Sequence, residues 1–116
     1  MQFGSEPLFD NVLPHAQLAE QVKLAKAKLA GVQIPVAVSE LAYGYQERGG
    51  AQDVLDAIDV INIHMLPFFD TEATTGSAAW PLVMRDLDWF IQHGEGKKMY
   101  LDEVCLFRTF SAVPFF

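Results

Sequence analysis

The sequence is poor in cysteine and in positive charge. A single cysteine, Cys105, excludes an internal disulfide and a multi-cysteine metal site. Eight Lys and Arg stand against 15 Asp and Glu, a net charge of −7, with no basic cluster to offset it. This argues against nucleic acid and anionic membrane surfaces as partners. No apolar run approaches the ~18 residues of a membrane span. The opening Met1-Gln2-Phe3-Gly4-Ser5-Glu6 has neither the basic start nor the apolar stretch of a signal peptide. His15, His64 and His93 have no metal-ligand spacing, so no metal and no cofactor is expected. Linkers, low-complexity segments and repeats are lacking as well. What is present is ordinary for a folded domain: 51% hydrophobic and 20% charged residues, with nine Phe to furnish a core. Such a composition excludes disorder, and 116 residues allow one domain at most.

Three segments have helical periodicity. In 14–30, Leu18, Val22, Ala25 and Leu29 form one apolar stripe; Pro14 suits the first turn and Gly31 the position after the last. A shorter helix is predicted over 51–58, with Val54, Leu55 and Ile58 on one side. A third is predicted over 77–93, capped by Ser77 and closed by Gly94. Its predicted apolar face is Trp80, Val83, Leu87, Phe90 and Ile91. Between them lie near-continuous apolar runs at 34–38, 59–65 and 98–103, and the first six residues fit the end of one more strand. Apolar strands alternating with helices signal parallel βα units with both sheet faces covered. The predicted order is β-α-β-α-β-α-β.

In parallel α/β sheets, chemistry gathers at the carboxyl ends of the strands. Those ends read Ser5-Glu6, Ser39-Glu40, His64 with Pro67-Phe68-Phe69, and Asp102-Glu103. All four carry an ionisable residue. Two carboxylates at such a mouth are equipment for acid–base and nucleophilic work on glycosidic bonds. Lone acids at strand ends more often face solvent or cap the next helix. His64 stands apart from the other histidines because it ends a strand. Cys105 has no base placed beside it and reads as an incidental thiol.

Gly4-Ser5-Glu6-Pro7-Leu8-Phe9 resembles the Gly-Asn-Glu segment that ends strand four in clan A glycoside hydrolases. It is most similar to family seventeen, the β-1,3-glucanase group, in its fungal form. Segment 32–40 resembles strand five. Segment 58–69 resembles strand six with its aromatic continuation, and 96–103 resembles the Gly-Lys lead into strand seven. The resemblance spans residues 1–103; residues 104–116 form a tail without it. It implies a partial (β/α)8 TIM barrel of about four parallel strands with three intervening helices. It further implies a retaining enzyme that hydrolyses or transfers β-1,3-glucan. Glu6 would be the acid/base and Glu103 the nucleophile, with Ser5, Glu40, Tyr43, His64, Phe68 and Phe69 toward the substrate and Tyr45 as a further aromatic surface. The implied partner is β-glucan or an oligosaccharide, and the implied location is extracellular or cell wall.

Two departures temper that expectation. Ser5 stands where the family has Asn, which contacts the sugar 2-hydroxyl. The match also stops at Glu103, and strands one to three and eight have no counterpart. An intact barrel takes ~250 residues. The chain therefore reads as a truncated glycoside hydrolase with weak or absent activity. The alternatives are a non-catalytic glucan-binding protein or one that self-associates through the open sheet edges, since unpaired edges invite pairing with another chain.

Overall fold

The computed structural model describes residues 1–104. Its core is one sheet of four parallel strands in chain order: β1 (Gln2–Ser5), β2 (Ala37–Leu41), β3 (Val60–Met65) and β4 (Met99–Val104). Four helices lie in the crossovers: α1 (His15–Leu29), α2 (Ala42–Glu47), α3 (Gln52–Ala57) and α4 (Gly76–His93). The predicted tail over 104–116 lies outside the described residues apart from Val104, as does Cys105. None of the described helices is long and apolar enough to cross a membrane.

Alternation along the strands sorts the residues onto two faces. Val36, Val38, Ile61, Ile63 and Met65 join Leu18, Val22, Val54, Leu55 and Phe90 of the helices in a single apolar core. The opposite face carries Ser39, Asn62 and Tyr100, which are cross-strand partners of one another. A full barrel would enclose that face. Here Tyr100 is half exposed.

The helices form for the reasons the pattern gives, with corrected ends. The α1 stripe is buried at Leu18 and Val22. Gly31 does not end the helix. A 3₁₀ turn over Ala30–Val32 carries the chain on, and the left-handed residue is Gln33, at φ 52°. Thr75, two residues before the expected Ser77, caps α4: its hydroxyl accepts the Ala78 N–H at 3.1 Å. Leu82 and Val83 are buried, whereas Trp80 and Ile91 are more than half exposed. The α4 stripe is thus set by Ala79, Leu82, Val83 and Phe90. The second crossover holds two short helices where one was predicted. The strand expected over 34–38 begins only at Ala37, because Val36 donates its N–H to the Asp59 side chain, at 2.8 Å, before the ladder starts.

Two register irregularities shape the carboxyl ends. In β1, the pairing slips between Gln2 and Ser5, where Gly4 adopts φ 83°. In β4, the pairing runs Ile63 with Leu101 and then His64 with Glu103. Asp102 is therefore an extra residue in the strand, a bulge of the kind found beside active sites.

Candidate active site

Glu6 follows the last residue of β1. Its N–H donates to the Ser39 carbonyl at 2.8 Å, which extends the β1–β2 ladder by one step. Its φ of 51° is left-handed, which is uncommon for a residue with a side chain and recurs at functional sites. The segment that follows is held from below. The carboxylate of Glu40 accepts the N–H of Leu8 at 2.8 Å, of Phe9 at 3.2 Å and of Leu41 at 2.9 Å. Arg48 Nε donates to the Leu8 carbonyl at 3.2 Å.

This corrects the expectation that Glu40 meets substrate. It is fully buried among the core residues, and its oxygens are occupied by three backbone amides. Burial pushes its carboxyl above the usual glutamate range. The three amide hydrogen bonds pull the other way, and the nearby Glu6 charge adds to the rise. Tyr45 is corrected likewise. It is fully buried against Trp89 and Phe90, with ring centroids at 5.8 and 5.7 Å, and burial raises its phenol strongly.

The centre of the site is His64, which is 3% exposed. Its Nδ1 lies 2.7 Å from Glu6 Oε1, and its Nε2 lies 2.7 Å from Ser39 Oγ. The same Nε2 is 3.6 Å from Asp102 Oδ1 and 3.6 Å from Glu103 Oε2. The Ser39 hydroxyl donates in turn to Asp102 Oδ2. One ring thus gathers three strand ends. A carboxylate oxygen of Glu6, a ring nitrogen of His64 and a carboxylate oxygen of Glu103 all lie within 4.8 Å of one another. A divalent cation accepts such donors, but it would have to displace the hydrogen bonds His64 already makes.

Beside Glu6 opens a cavity of about 400 Å³, walled by Glu6, Phe9, Leu41, Tyr43, Met65 and Phe69 and closed by Leu82, Arg85 and Asp86 of α4. The Phe9 and Tyr43 rings are tilted at 57° with centroids 6.1 Å apart. Tyr43 donates its hydroxyl to Glu47 at 2.7 Å. Ser5 is exposed at the end of β1. Phe68 sits in a 3₁₀ turn after β3, and its side chain lies outside what the structure describes.

The structure therefore brings together Glu6, His64 and Glu103, and places Tyr43 and Phe69 in the wall next to Glu6. It removes Glu40 and Tyr45 to the interior. Ser39 and Asp102, read at strand ends but given no role, and Phe9 also take part. The signal for Ser39 was its position as a polar residue within a buried strand, obscured because that strand was expected to stop at Val38.

No protein-family model and no curated protein sequence matches the chain. Solved structures do. The glycoside hydrolase family 17 β-1,3-glucanosyltransferase from Rhizomucor miehei superimposes with a TM-score of 0.74 at 24% identity. The match covers 88% of this chain and 36% of that one. An active-site mutant of the Rhizomucor miehei β-1,3-glucanosyltransferase in complex with laminaritriose gives a TM-score of 0.70 at 23% identity, over 84% and 34% of the two chains. The fold is therefore that of part of a (β/α)8 barrel, as in these enzymes. The chain spans about a third of the length of these enzymes.

Proposed function

We propose that the chain is the catalytic-face portion of a retaining β-1,3-glucan hydrolase or glucanosyltransferase of the family 17 type. One observation supports this most directly. Carboxylate oxygens of Glu6 and Glu103, 97 residues apart in sequence, lie within 4.8 Å at the carboxyl end of a parallel sheet. Retaining glycosidases hold their two carboxyls about 5–5.5 Å apart, whereas inverting enzymes need ~6.5–9.5 Å to admit a water.

In this reading Glu103 attacks the anomeric carbon as a carboxylate while Glu6 gives its proton to the departing glycosidic oxygen. The bond from C1 to that oxygen breaks as the glycosyl ester on Glu103 forms. Glu6, now ionised, takes a proton from the incoming hydroxyl, and that oxygen displaces Glu103. A water yields hydrolysis; a sugar hydroxyl yields transfer. Phe9, Tyr43 and Phe69 supply flat surface for sugar rings beside the acid. Ser5 in place of Asn weakens the contact to the 2-hydroxyl, and the described strands furnish one wall of a cleft. Misplacement of a reacting group costs ~100-fold, so turnover by the 116-residue chain alone is expected to be low. Delivery to the cell exterior or wall belongs to the same reading.

The test is thermal unfolding of the purified chain with and without a β-1,3-gluco-oligosaccharide, followed by a reducing-sugar assay. A transition raised by the sugar, and cleavage abolished by Glu103→Gln, support the reading, since a ligand of the native state stabilises it. Sugar-raised stability with no cleavage by the unsubstituted chain favours a glucan-binding protein. A transition indifferent to sugar overturns both.

A further inference from the structure

We infer that His64 is a positioning residue for the acid/base carboxyl: it fixes Glu6 in place and shares its proton. The inference rests on the glycosidase reading for what Glu6 does, but its geometry stands independently. It begins with a proton count. The Ser39 hydroxyl has one hydrogen, and that hydrogen goes to Asp102 Oδ2. Ser39 Oγ can then only accept from His64 Nε2, 2.7 Å away, so Nε2 carries hydrogen. The network thereby selects the tautomer.

Nδ1 is left facing Glu6 Oε1 at 2.7 Å, a distance that requires a proton between them. With the proton on the carboxyl, the neutral ring accepts it; with the proton on the ring, the imidazolium donates it. Either way the bridge holds one proton and the carboxyl is aimed the same way. When the proton leaves for the glycosidic oxygen, a ring lone pair faces a carboxylate. That repulsion favours Glu6 recovering a proton from the incoming hydroxyl.

The ring is well placed for this. It is almost wholly buried, so its hydrogen bonds act in a low-dielectric setting. The ionisable groups facing it are Glu6 from the end of β1 and Asp102 and Glu103 from β4. Glu40, from the other face of β2, does not face the ring; its carboxylate is occupied by the amides of Leu8, Phe9 and Leu41. Asp102 is tied up by Ser39, which leaves Glu103 the less constrained of the two β4 carboxylates, with its side chain 59% exposed.

The test uses the full chain labelled with ¹⁵N-histidine, compared with Glu6→Gln. Glu6 is at the surface of the site, so this exchange leaves the core intact; Glu6→Asp serves as a second variant. The expected His64 spectrum has Nε2 fixed as an N–H and Nδ1 strongly hydrogen-bonded. Glu6→Gln is expected to move the Nδ1 signal and leave Nε2 in place. A ring that averages between tautomers, or an Nδ1 signal identical in the two proteins, overturns the inference.

A kinetic arm separates positioning from mere support. His64→Gln is expected to cost roughly 100-fold on β-1,3-gluco-oligosaccharides. The loss is expected to be far smaller on an aryl β-glucoside whose nitrophenol leaves without a proton. Equal losses on both overturn the positioning role. If the unsubstituted chain cleaves neither substrate while the Nδ1 signal responds to Glu6→Gln, the glycosidase reading fails and the shared-proton bridge stands.

Discussion

The carboxylate of Glu40 holds the backbone N–H of Leu8 at 2.8 Å, joining the end of β2 to the segment that begins with Glu6. A residue with no access to the cleft thereby fixes the residue proposed to act in it. Removing the carboxylate strands one buried amide and two part-buried ones, and a buried amide costs about 1–3 kcal/mol when left unpaired. Glu40→Ala is expected to lower stability by about 2 kcal/mol or more, a large share of a typical domain's total. Glu40→Gln keeps an acceptor for Leu8 and Phe9 and is expected to cost less. Urea unfolding curves of the three proteins give the comparison.

The same carboxylate sets a pH trend. Its folded-state pKa is raised, chiefly by burial, so the folded state holds the proton more tightly than the unfolded one. The stability linked to this group is full below the ordinary glutamate value of about 4.3 and is lost as pH rises through the higher folded value. Glu40→Gln is expected to flatten that decline, as read from the thermal midpoint across the mildly acidic range.

Asp59 gives the opposite slope. Burial works upward on its carboxyl but is outweighed by the Lys26 ammonium, 2.7 Å away, and by the Val36 N–H, so its pKa is lowered. The stability it contributes is present above the ordinary aspartate value of about 3.9 and is lost as pH falls through the lower folded value. Asp59→Asn is expected to shrink the acid-side loss of thermal midpoint while lowering stability slightly at neutral pH, since exposed pairs are worth about 0.2–1 kcal/mol.

Gly44 has no room for a side chain. A Cβ there would sit 2.5 Å from Glu40 Oε1 and 2.6 Å from its carboxyl carbon. Three amides pin that carboxylate, so it cannot retreat. Gly44→Ala is expected to destabilise by about 1–3 kcal/mol despite the better helix propensity of alanine. A thermal midpoint unchanged or raised in this variant would show the Glu40 contact to be softer than its geometry implies.

Tyr45 presents the reverse case. Among the described residues its buried hydroxyl has no hydrogen-bond partner. Tyr45→Phe removes an unpaired polar atom while keeping the ring against Trp89 and Phe90. It is expected to hold or raise stability by up to about 1 kcal/mol, or roughly 4 °C in midpoint at this size. Differential scanning calorimetry reads the change.

The parallel sheet was legible in the sequence because its strands are uninterrupted apolar runs and its helices carry clear stripes. Strand ends were less so. The start of β2 depends on a side chain later in the chain, that of Asp59 just before β3, which takes the Val36 amide. The α4 face was misjudged at Trp80 and Ile91 because size was read as burial; the smaller Ala79 and Leu82 point inward. In the site, Glu6, His64 and Glu103 were readable as strand-end polar groups. The division of labour between Glu6 and Glu40 was not, since it turns on which face of a strand each acid occupies. Ser39 and Asp102 were legible as strand-end residues, but their roles came only from the hydrogen bonds of a ring that sequence could not orient.

The extra residue in β4 decides which acid lies opposite His64. Were the pairing of Ile61 with Met99 and Ile63 with Leu101 continued without interruption, Asp102 would fall opposite His64. Glu103 would then turn to the helical side, because one step along a strand reverses the facing of a side chain. Aspartate is one methylene shorter, and the reach of the carboxylate from β4 would shrink accordingly. The bulge is in effect a selector between two adjacent carboxylates. A one-residue insertion upstream in β4, with the bulge kept, would bring Asp102 opposite His64 in place of Glu103.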